Sequence, residues 1–374
     1  MKYELAVIII NAILFFCYLA IHSLVIRGMA KLRKGNNTEM RRFSIIVAAR
    51  NEEKCIGSCL EFLAKLEYPK KLYEIIVVND RSTDATEKIV QEYQRKYPII
   101  RLISLDNITS DLPGKKNALN EAIKASTNEI LAFTDADSIV PPQWLTILSE
   151  YFEPTVGAVA GYSPFEEHSI ETLSAKIGDG FLRYEEMKNS SATAAGIGLK
   201  NAYMCTGRNF AYRKKVFEQV GGFQKIKHSI SGDDDLLIQL MQKETTWEIR
   251  YMSEPESFVK TQPPLTFKEF INQRKRHFSA AQFYPAKMKI IFALIHSFNA
   301  VLMISFFFAP ATAGIFAIGK FIIDGILIRK AIQTFGNRNL FKWFVPLEIC
   351  FIFYNLLIGP LGLVGKFNWK SSLE

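Results

Sequence analysis

The chain has 374 residues, with 46 lysines and arginines against 37 aspartates and glutamates, and a formal net charge of +9. These charges are unevenly spread, because segments 5–26 and 290–319 contain none, whereas the stretch between them has the charge density of a water-soluble domain. This composition excludes a purely soluble protein, a disordered protein and a carrier built of membrane helices throughout.

The first charge-free segment, 5–26, is long enough to cross a bilayer as a helix, which takes about 20 apolar residues. A basic stretch at 27–34 follows it directly, and no cleavage site of small residues is present. We therefore predict an uncleaved anchor rather than a signal peptide, with its C-terminal end in the cytoplasm.

The C-terminal part contains further apolar segments. Segments 290–308 and 311–328 predict a helical hairpin interrupted at Pro310. Segment 343–365 contains Glu348, and it either spans the membrane, re-enters it or lies at its interface. Buried helices of a large soluble protein are the alternative, which a charge-free run of thirty residues disfavours.

The positive net charge does not predict nucleic-acid binding, because the basic residues are spread out and form no recognition motif. Attraction to anionic lipid head groups explains the excess more simply. The five cysteines do not match a zinc spacing and indicate a reducing compartment without a disulfide framework.

Between the apolar ends, short apolar runs alternate with helical patterns, which is typical of a parallel sheet with helices on both faces. We expect Ser82 or Thr83 to cap the helix after the second strand. Ligands of such sheets bind beyond the carboxyl ends of the strands. The predicted strands are Phe43–Ala49, Glu74–Val78, Ile99–Ser104 and Glu129–Thr134.

Asp135 and Asp137 follow the fourth predicted strand, separated by one alanine. Two carboxylates cannot bind a diphosphate directly, but they can hold Mg²⁺ or Mn²⁺, which keep open positions for phosphate oxygens. The alternative is an ordinary acidic turn, since aspartate is common in turns. The position directly after a buried strand favours the metal site.

Two other groups have a similar placement. Asp80 ends the second strand, where its carboxylate can accept hydrogen bonds from a nucleoside; the alternative is a turn or helix-capping aspartate. Lys115 and Lys116 follow Gly114 at the start of a helix, where ammonium and backbone N–H groups can approach phosphate. The spacing is not that of a P-loop, and a solvated lysine pair is the default interpretation.

Asp233, Asp234 and Asp235 stand together at the predicted start of another helix. The helix dipole favours aspartates there, which accounts for at least one of them. Adjacent carboxylates also favour proton uptake by one of them near neutral pH, which suits a general base. The segment 273–277 is basic and precedes the apolar hairpin. Its composition alone favours the interpretation that it is attracted to lipid phosphates.

Seven stretches in this order resemble the membrane-bound family 2 glycosyltransferases, which have the GT-A fold. The resemblance covers about residues 43–280 and extends to the membrane ends. The stretches are 46–52, 77–84, 114–119, 135–137, 206–213 with 220–223, 232–236 and 273–276.

The resemblance implies roles for individual residues in binding a nucleotide-sugar donor. Ala49, Glu52 and Asp80 would hold its nucleoside, most often uridine, and Lys115 would lie near the same nucleotide. Asp135 would contribute to the same site through the metal.

The family pattern also implies the residues of catalysis. Asp135 and Asp137 would hold the diphosphate through Mg²⁺ or Mn²⁺, and Asp233 would be the catalytic base. Gly232 stands where the family has glutamate, so Asp234 remains a rival for that role.

Gln273 and Arg276 match the Q-x-x-R-W motif common in processive polysaccharide synthases, and would lie on the donor or acceptor side. His277 replaces the tryptophan, which weakens the inference that this enzyme extends a polymer.

We therefore expect an α/β protein: a GT-A domain with a mainly parallel sheet at 40–285, an N-terminal anchor at 1–30 and two to three transmembrane helices at 288–366. The expected activity is inverting transfer of a sugar, most often UDP-linked, to a lipid-linked or growing glycan acceptor. Transfer to a polyprenyl phosphate and a non-catalytic nucleotide-sugar-binding membrane subunit are the alternatives. We expect a multi-pass protein of the inner membrane that contacts membrane lipids and no nucleic acid, with its catalytic domain in the cytoplasm.

Overall fold

The computed structural model describes residues 2–107, 110–167, 173–264 and 266–358. The chain divides into two compact units. The sheet unit comprises Leu32–Glu167 and Ile197–Pro264, and the helical unit comprises Met1–Lys31, His168–Gly196 and Leu265–Phe367, each as far as it is described.

The described residues form strands β1 (Phe43–Ala49), β2 (Tyr73–Asp80), β3 (Ile100–Leu105), β4 (Ile130–Asp135), β5 (Val156–Gly161), β6 (Phe210–Arg213) and β7 (Glu248–Met252). They also form helices α1 (Lys2–Met29), α2 (Ile56–Ala64), α3 (Thr86–Lys96), α4 (Lys115–Ala125), α5 (Trp144–Tyr151), α6 (Leu173–Gly198), α7 (Lys214–Gln219), α8 (Asp235–Glu244), α9 (Phe267–Ala281), α10 (Ala286–Phe308), α11 (Pro310–Phe335) and α12 (Phe344–Leu357).

The seven strands make one sheet in the order β3-β2-β1-β4-β6-β5-β7. Strands β1 to β4 pair in parallel, β6 runs antiparallel to both of its neighbours, and β5 pairs in parallel with β7. The central strands are continuous apolar runs because both of their faces are covered, as in other parallel sheets. The predicted mainly parallel sheet is confirmed.

The start of α3 differs from the prediction. The helix begins at Thr86, and the carboxylate of Asp84 accepts a hydrogen bond from its backbone N–H at 3.0 Å. Ser82 and Thr83 instead bind the neighbouring loop: the Ser82 hydroxyl accepts from the backbone N–H of Asn51, and the Thr83 N–H donates to the Asn51 side chain. The prediction that Ser82 or Thr83 caps this helix is therefore wrong.

Four helices of the described chain are long and apolar enough to cross a membrane, one N-terminal and three C-terminal. The third C-terminal candidate ends at Leu357, and the last part of the predicted segment 343–365 lies outside the described residues. The four segments are Glu4–Met29, Ala286–Phe308, Pro310–Phe335 and Arg338–Leu357.

The charges that interrupt the C-terminal apolar segments are buried in one ion-pair network of the helical unit. The ammonium of Lys320 lies 2.6 Å from a carboxylate oxygen of Asp324 and 2.6 Å from one of Glu348. Lys188 of α6 lies 2.8 Å from Glu348, and the Tyr18 hydroxyl donates to Asp324 at 2.7 Å. Because isolated charges are costly in an apolar bundle, this pairing makes the charged helices compatible with a membrane.

Candidate active site

The carboxyl ends of β1, β2 and β4 lie side by side at the same end of the sheet, because β1 pairs in parallel with both β2 and β4. The register pairs Ala49 with Asn79 and Ala48 with Asp135. The structure therefore brings Ala49, Asp80 and Asp135 to the same edge, as expected for residues of one ligand site.

The loop after β1 is fixed by the loop after β2. The backbone N–H of Glu52 donates to the hydroxyl of Thr86 at 2.8 Å, and Asn51 takes a left-handed backbone conformation with φ of 52°. Asp80 is buried and lies 2.8 Å from Arg81, and the backbone N–H at the start of α3 donates to Asp84 rather than to Asp80. The loop after β1 is thus tied to the start of α3 through Glu52 and Thr86.

Lys115, the first residue of α4, forms an ion pair with Asp135 at the end of β4. Burial acts to lower the pKa of Lys115, but the charges of Asp135 and Asp233 outweigh it and raise that pKa above its usual value. The lysine therefore stays protonated. It places a positive charge between the strand end and the aspartates that precede α8.

Asp137 is held by the Thr261 hydroxyl, which donates to its carboxylate at 3.2 Å. Burial, followed by the negative charge of Asp135, raises the pKa of Asp137, while Arg208 acts in the opposite direction. Two carboxylates that repel each other in this way suit a bound cation. Among the described residues, no group of three His, Cys, Asp or Glu side chains could hold a metal without other ligands.

The three consecutive aspartates have different surroundings. Asp234 is the N-cap of α8: it accepts from the backbone N–H of Asp235 at 2.7 Å and from that of Gly207 at 2.9 Å. Asp235 accepts from the backbone N–H of Cys205 at 2.9 Å. Asp235 is the first residue of α8, Asp234 caps it and Asp233 precedes the cap, so the predicted position of the three at the start of a helix is confirmed.

Burial and the neighbouring charge of Asp233 raise the pKa of Asp234 to about 6. A pKa near neutrality would suit a general base, but both oxygens of Asp234 already serve the backbone. Its raised pKa is therefore that of a half-buried carboxylate already bonded to backbone N–H groups.

Asp233 precedes the cap and is half-buried. Its carboxylate makes no hydrogen bond within the described part of the chain. It lines a small recess together with Asp234, Lys115, Thr134 and Gly207. It differs from Asp234 in the same recess, because both carboxylate oxygens of Asp234 accept backbone hydrogen bonds.

Gly207 is a contributor that the sequence analysis did not single out. A Cβ atom at this position would lie 2.9 Å from a carboxylate oxygen of Asp234, so only glycine permits the close approach of its backbone N–H. The stretch 206–213 is part of the family resemblance, but a backbone donor leaves no sequence signal beyond a glycine.

Gln273 and Arg276 lie on α9, in the helical unit, whereas the other predicted site residues lie in the sheet unit. Between them Arg274 is buried and forms an ion pair with Glu185 of α6. The functional role of Gln273 and Arg276 stays a prediction.

The family model for glycosyl transferase family 2 matches residues 44–221, which span β1 to the end of α7 and its following turn. Residues 44–221 thus match a family 2 glycosyltransferase domain. The fold agrees: a mannosyltransferase from Pyrobaculum calidifontis, solved in complex with GDP-Man and Mn²⁺, superposes with a TM-score of 0.58 at 19% identity, covering 94% of this chain and 98% of the other.

Two relatives extend the similarity. A probable glycosyltransferase of Bacillus subtilis is 29% identical over 79% of this chain and 70% of its own length. A beta-monoglucosyldiacylglycerol synthase of Synechocystis is 28% identical over 52% of this chain, but the match covers only 39% of that relative. The two relatives are thus named differently: one as a probable glycosyltransferase and one as the synthase of a particular glycolipid.

Proposed function

We propose that this protein is an inverting glycosyltransferase that moves a sugar from a nucleotide-sugar, UDP-linked by resemblance, to a hydroxyl of a lipid-linked or growing glycan acceptor. The observation that carries this proposal is that the carboxylate of Asp233 makes no hydrogen bond within the described residues. It lines a recess with Lys115, which pairs with Asp135 at the end of the sheet where such folds bind ligands.

The donor would bind along the carboxyl ends of the strands. Asp80 would accept hydrogen bonds from the base or ribose, and Ala49 and Glu52 would form the wall of the nucleoside site. Lys115 would approach the diphosphate, since its ammonium already lies at the strand end where the phosphates would meet Asp135.

Asp135 and Asp137 fit a divalent cation, because hard carboxylate oxygens suit Mg²⁺ or Mn²⁺ and because each carboxylate disfavours the charge of the other. Two protein ligands leave room for diphosphate oxygens. Such a cation would neutralise charge on the leaving nucleoside diphosphate. Lys115, which pairs with Asp135, would share that neutralisation.

Asp233 would remove the proton from the acceptor hydroxyl while the hydroxyl oxygen attacks the anomeric carbon from the face opposite the leaving group. One carboxylate on that face suffices for inversion, and no covalent intermediate forms. Asp234 would keep its hydrogen bonds to the N–H groups of Gly207 and Asp235 throughout the reaction. Its carboxylate would therefore stabilise the loop and would not contact the substrate.

The four candidate membrane helices favour an acceptor that is itself held in the membrane. We propose an inner-membrane location with the catalytic domain, 40–285, in the cytoplasm between the anchor, 1–30, and the C-terminal helices, 288–366. The name of the Synechocystis relative, a glucosyldiacylglycerol synthase, supports a lipid acceptor.

A donor panel tests the proposal. The full chain in detergent is incubated with UDP-glucose, UDP-N-acetylglucosamine, UDP-galactose or GDP-mannose and a membrane lipid extract. Released nucleoside diphosphate is measured, and the product is identified by mass spectrometry. Sugar-bearing lipid or glycan with inverted anomeric configuration supports the proposal. Sugar found on polyprenyl phosphate favours that alternative, and absence of release with every donor favours a non-catalytic subunit.

A further inference from the structure

The second residue of α4, Lys116, is fully buried in the sheet unit. The sequence suggests a solvated lysine pair, but the two neighbours have separate environments: Lys115 pairs with Asp135, and Lys116 is enclosed by protein. Burying an ammonium group is costly unless its donors are satisfied, so this lysine needs a specific reason to be inside.

The partners of Lys116 are backbone carbonyls. Its ammonium donates to the carbonyl oxygen of Ser229 at 2.7 Å and to that of Ser231 at 2.9 Å. Burial lowers the pKa of Lys116, while the charges of Asp233 and Asp234 act to raise it. The lysine is therefore bonded to the loop and electrostatically attracted to the aspartates that follow it.

The loop itself has little freedom to take another path. Gly232 has a φ of 82°, and a Cβ atom there would lie 2.7 Å from a side-chain carbon of Leu236. On the opposite side, a Cβ atom at Gly114 would lie 3.1 Å from the carbonyl oxygen of Ile230. The loop is thus packed closely against the N-terminus of α4, where Lys116 holds it.

We propose that Lys116 is a positioning residue for Asp233, acting through the carbonyls of Ser229 and Ser231. This inference rests on the proposed function, in which Asp233 is the base. The N-terminus of α4 contributes to both parts of the proposed site. Lys115 pairs with Asp135 at the end of β4, where the leaving diphosphate would bind, and Lys116 holds the loop that carries Asp233.

The variant Lys116→Met tests this, because it keeps the length and apolar stem of the side chain and removes its donors. We expect kcat to fall roughly 10- to 100-fold, as misplacement of a catalytic group costs about that much, whereas the KM for the donor and the Kd for UDP with Mn²⁺ stay within about twofold. Lys124→Met on the same helix is the matched control, since Lys124 is exposed and pairs only with Glu121 in the described chain.

A double-variant cycle separates positioning from a general effect on the fold. If Lys116 acts through Asp233, adding Lys116→Met to Asp233→Asn causes no further loss of kcat. A full second loss in that background would overturn the proposal, as would wild-type kcat in Lys116→Met alone. If Lys116→Met does not fold, Lys116→Gln, which keeps a donor on a shorter stem, enters the same cycle.

The outcomes also distinguish failure of this positioning role from failure of the proposed function, in which Asp233 is the base. Wild-type turnover in Asp233→Asn would refute the base assignment and the positioning role with it. An inactive Asp233→Asn together with a fully active Lys116→Met would refute the positioning role alone and leave the proposed function in place.

Discussion

The backbone N–H of Gly207 donates a hydrogen bond to the carboxylate of Asp234 at 2.9 Å. This contact, with the second bond from Asp235, commits Asp234 to holding two segments of the chain together. The proton acceptor of the proposed reaction is then Asp233, which has no such commitment among the described residues. The raised pKa of Asp234 favours it as the base, whereas its two backbone hydrogen bonds favour Asp233 for that role.

Removal of metal should abolish transfer. If Asp135 and Asp137 hold a divalent cation, a chelator stops the reaction and added Mg²⁺ or Mn²⁺ restores it. Asp137→Asn should remain folded and lose most activity, because a neutral amide is a poorer ligand than a carboxylate. Nucleoside diphosphate release with and without chelator measures this, and full activity in chelator would contradict the metal assignment.

Lys320→Met should destabilise the helical unit, because it leaves the buried carboxylates of Asp324 and Glu348 with one cation fewer. Removing one partner of a buried pair costs roughly 3–5 kcal/mol in soluble proteins, and we expect a clear fall in the thermal unfolding midpoint in detergent. Arg329→Met, at an exposed position of the same helix, is the control.

Adding Glu348→Gln to Lys320→Met should recover part of the lost stability, since it removes one of the two buried carboxylates that have lost Lys320 as a partner. An unfolding midpoint of Lys320→Met equal to that of Arg329→Met would show that the network does not stabilise the bundle.

The segment 273–277 offers a comparison within one helix. If Gln273 and Arg276 contact donor or acceptor, Arg276→Ala lowers turnover far more than Lys275→Ala. Binding to lipid phosphates alone would give two small and similar effects, because each variant removes one positive charge. Turnover of both variants at equal protein and lipid concentration separates the two hypotheses.

Much of the sheet was predictable, because the runs of β1, β2 and β4 are continuous and apolar. The candidate membrane helices were predictable from the length and the apolar composition of their segments. The later strands were not: β6 has four residues and owes its place to pairing with β4 and β5 rather than to its own pattern.

The division of labour at the site was only partly visible in the sequence. Lys115 and Lys116 are identical in type and adjacent, yet one pairs with a strand end and the other is buried against carbonyls. Asp233 and Asp234 likewise differ only through contacts made by Gly207 and Asp235. The difference within each pair arises from hydrogen bonds to backbone groups. Such bonds do not depend on the residue type of the backbone partner, so they cannot be recognised in the sequence.

Orientation in the membrane can be tested in intact cells. We expect the 40–285 region to be cytoplasmic, because a basic stretch follows the first apolar helix. Protease added outside the cells should then leave this region uncut until the membrane is permeabilised. Cleavage within 42–260 in intact cells would place the domain on the opposite side.

The most direct measurement is the turnover of Asp233→Asn beside Asp234→Asn and Asp235→Asn, with UDP affinity measured in parallel. The account predicts that Asp233→Asn loses at least about two orders of magnitude in turnover, as expected for removal of a general base, while its UDP affinity is unchanged. Asp235→Asn should lose less. An inactive Asp234→Asn with a nearly normal Asp233→Asn would contradict the account and move the catalytic role to Asp234.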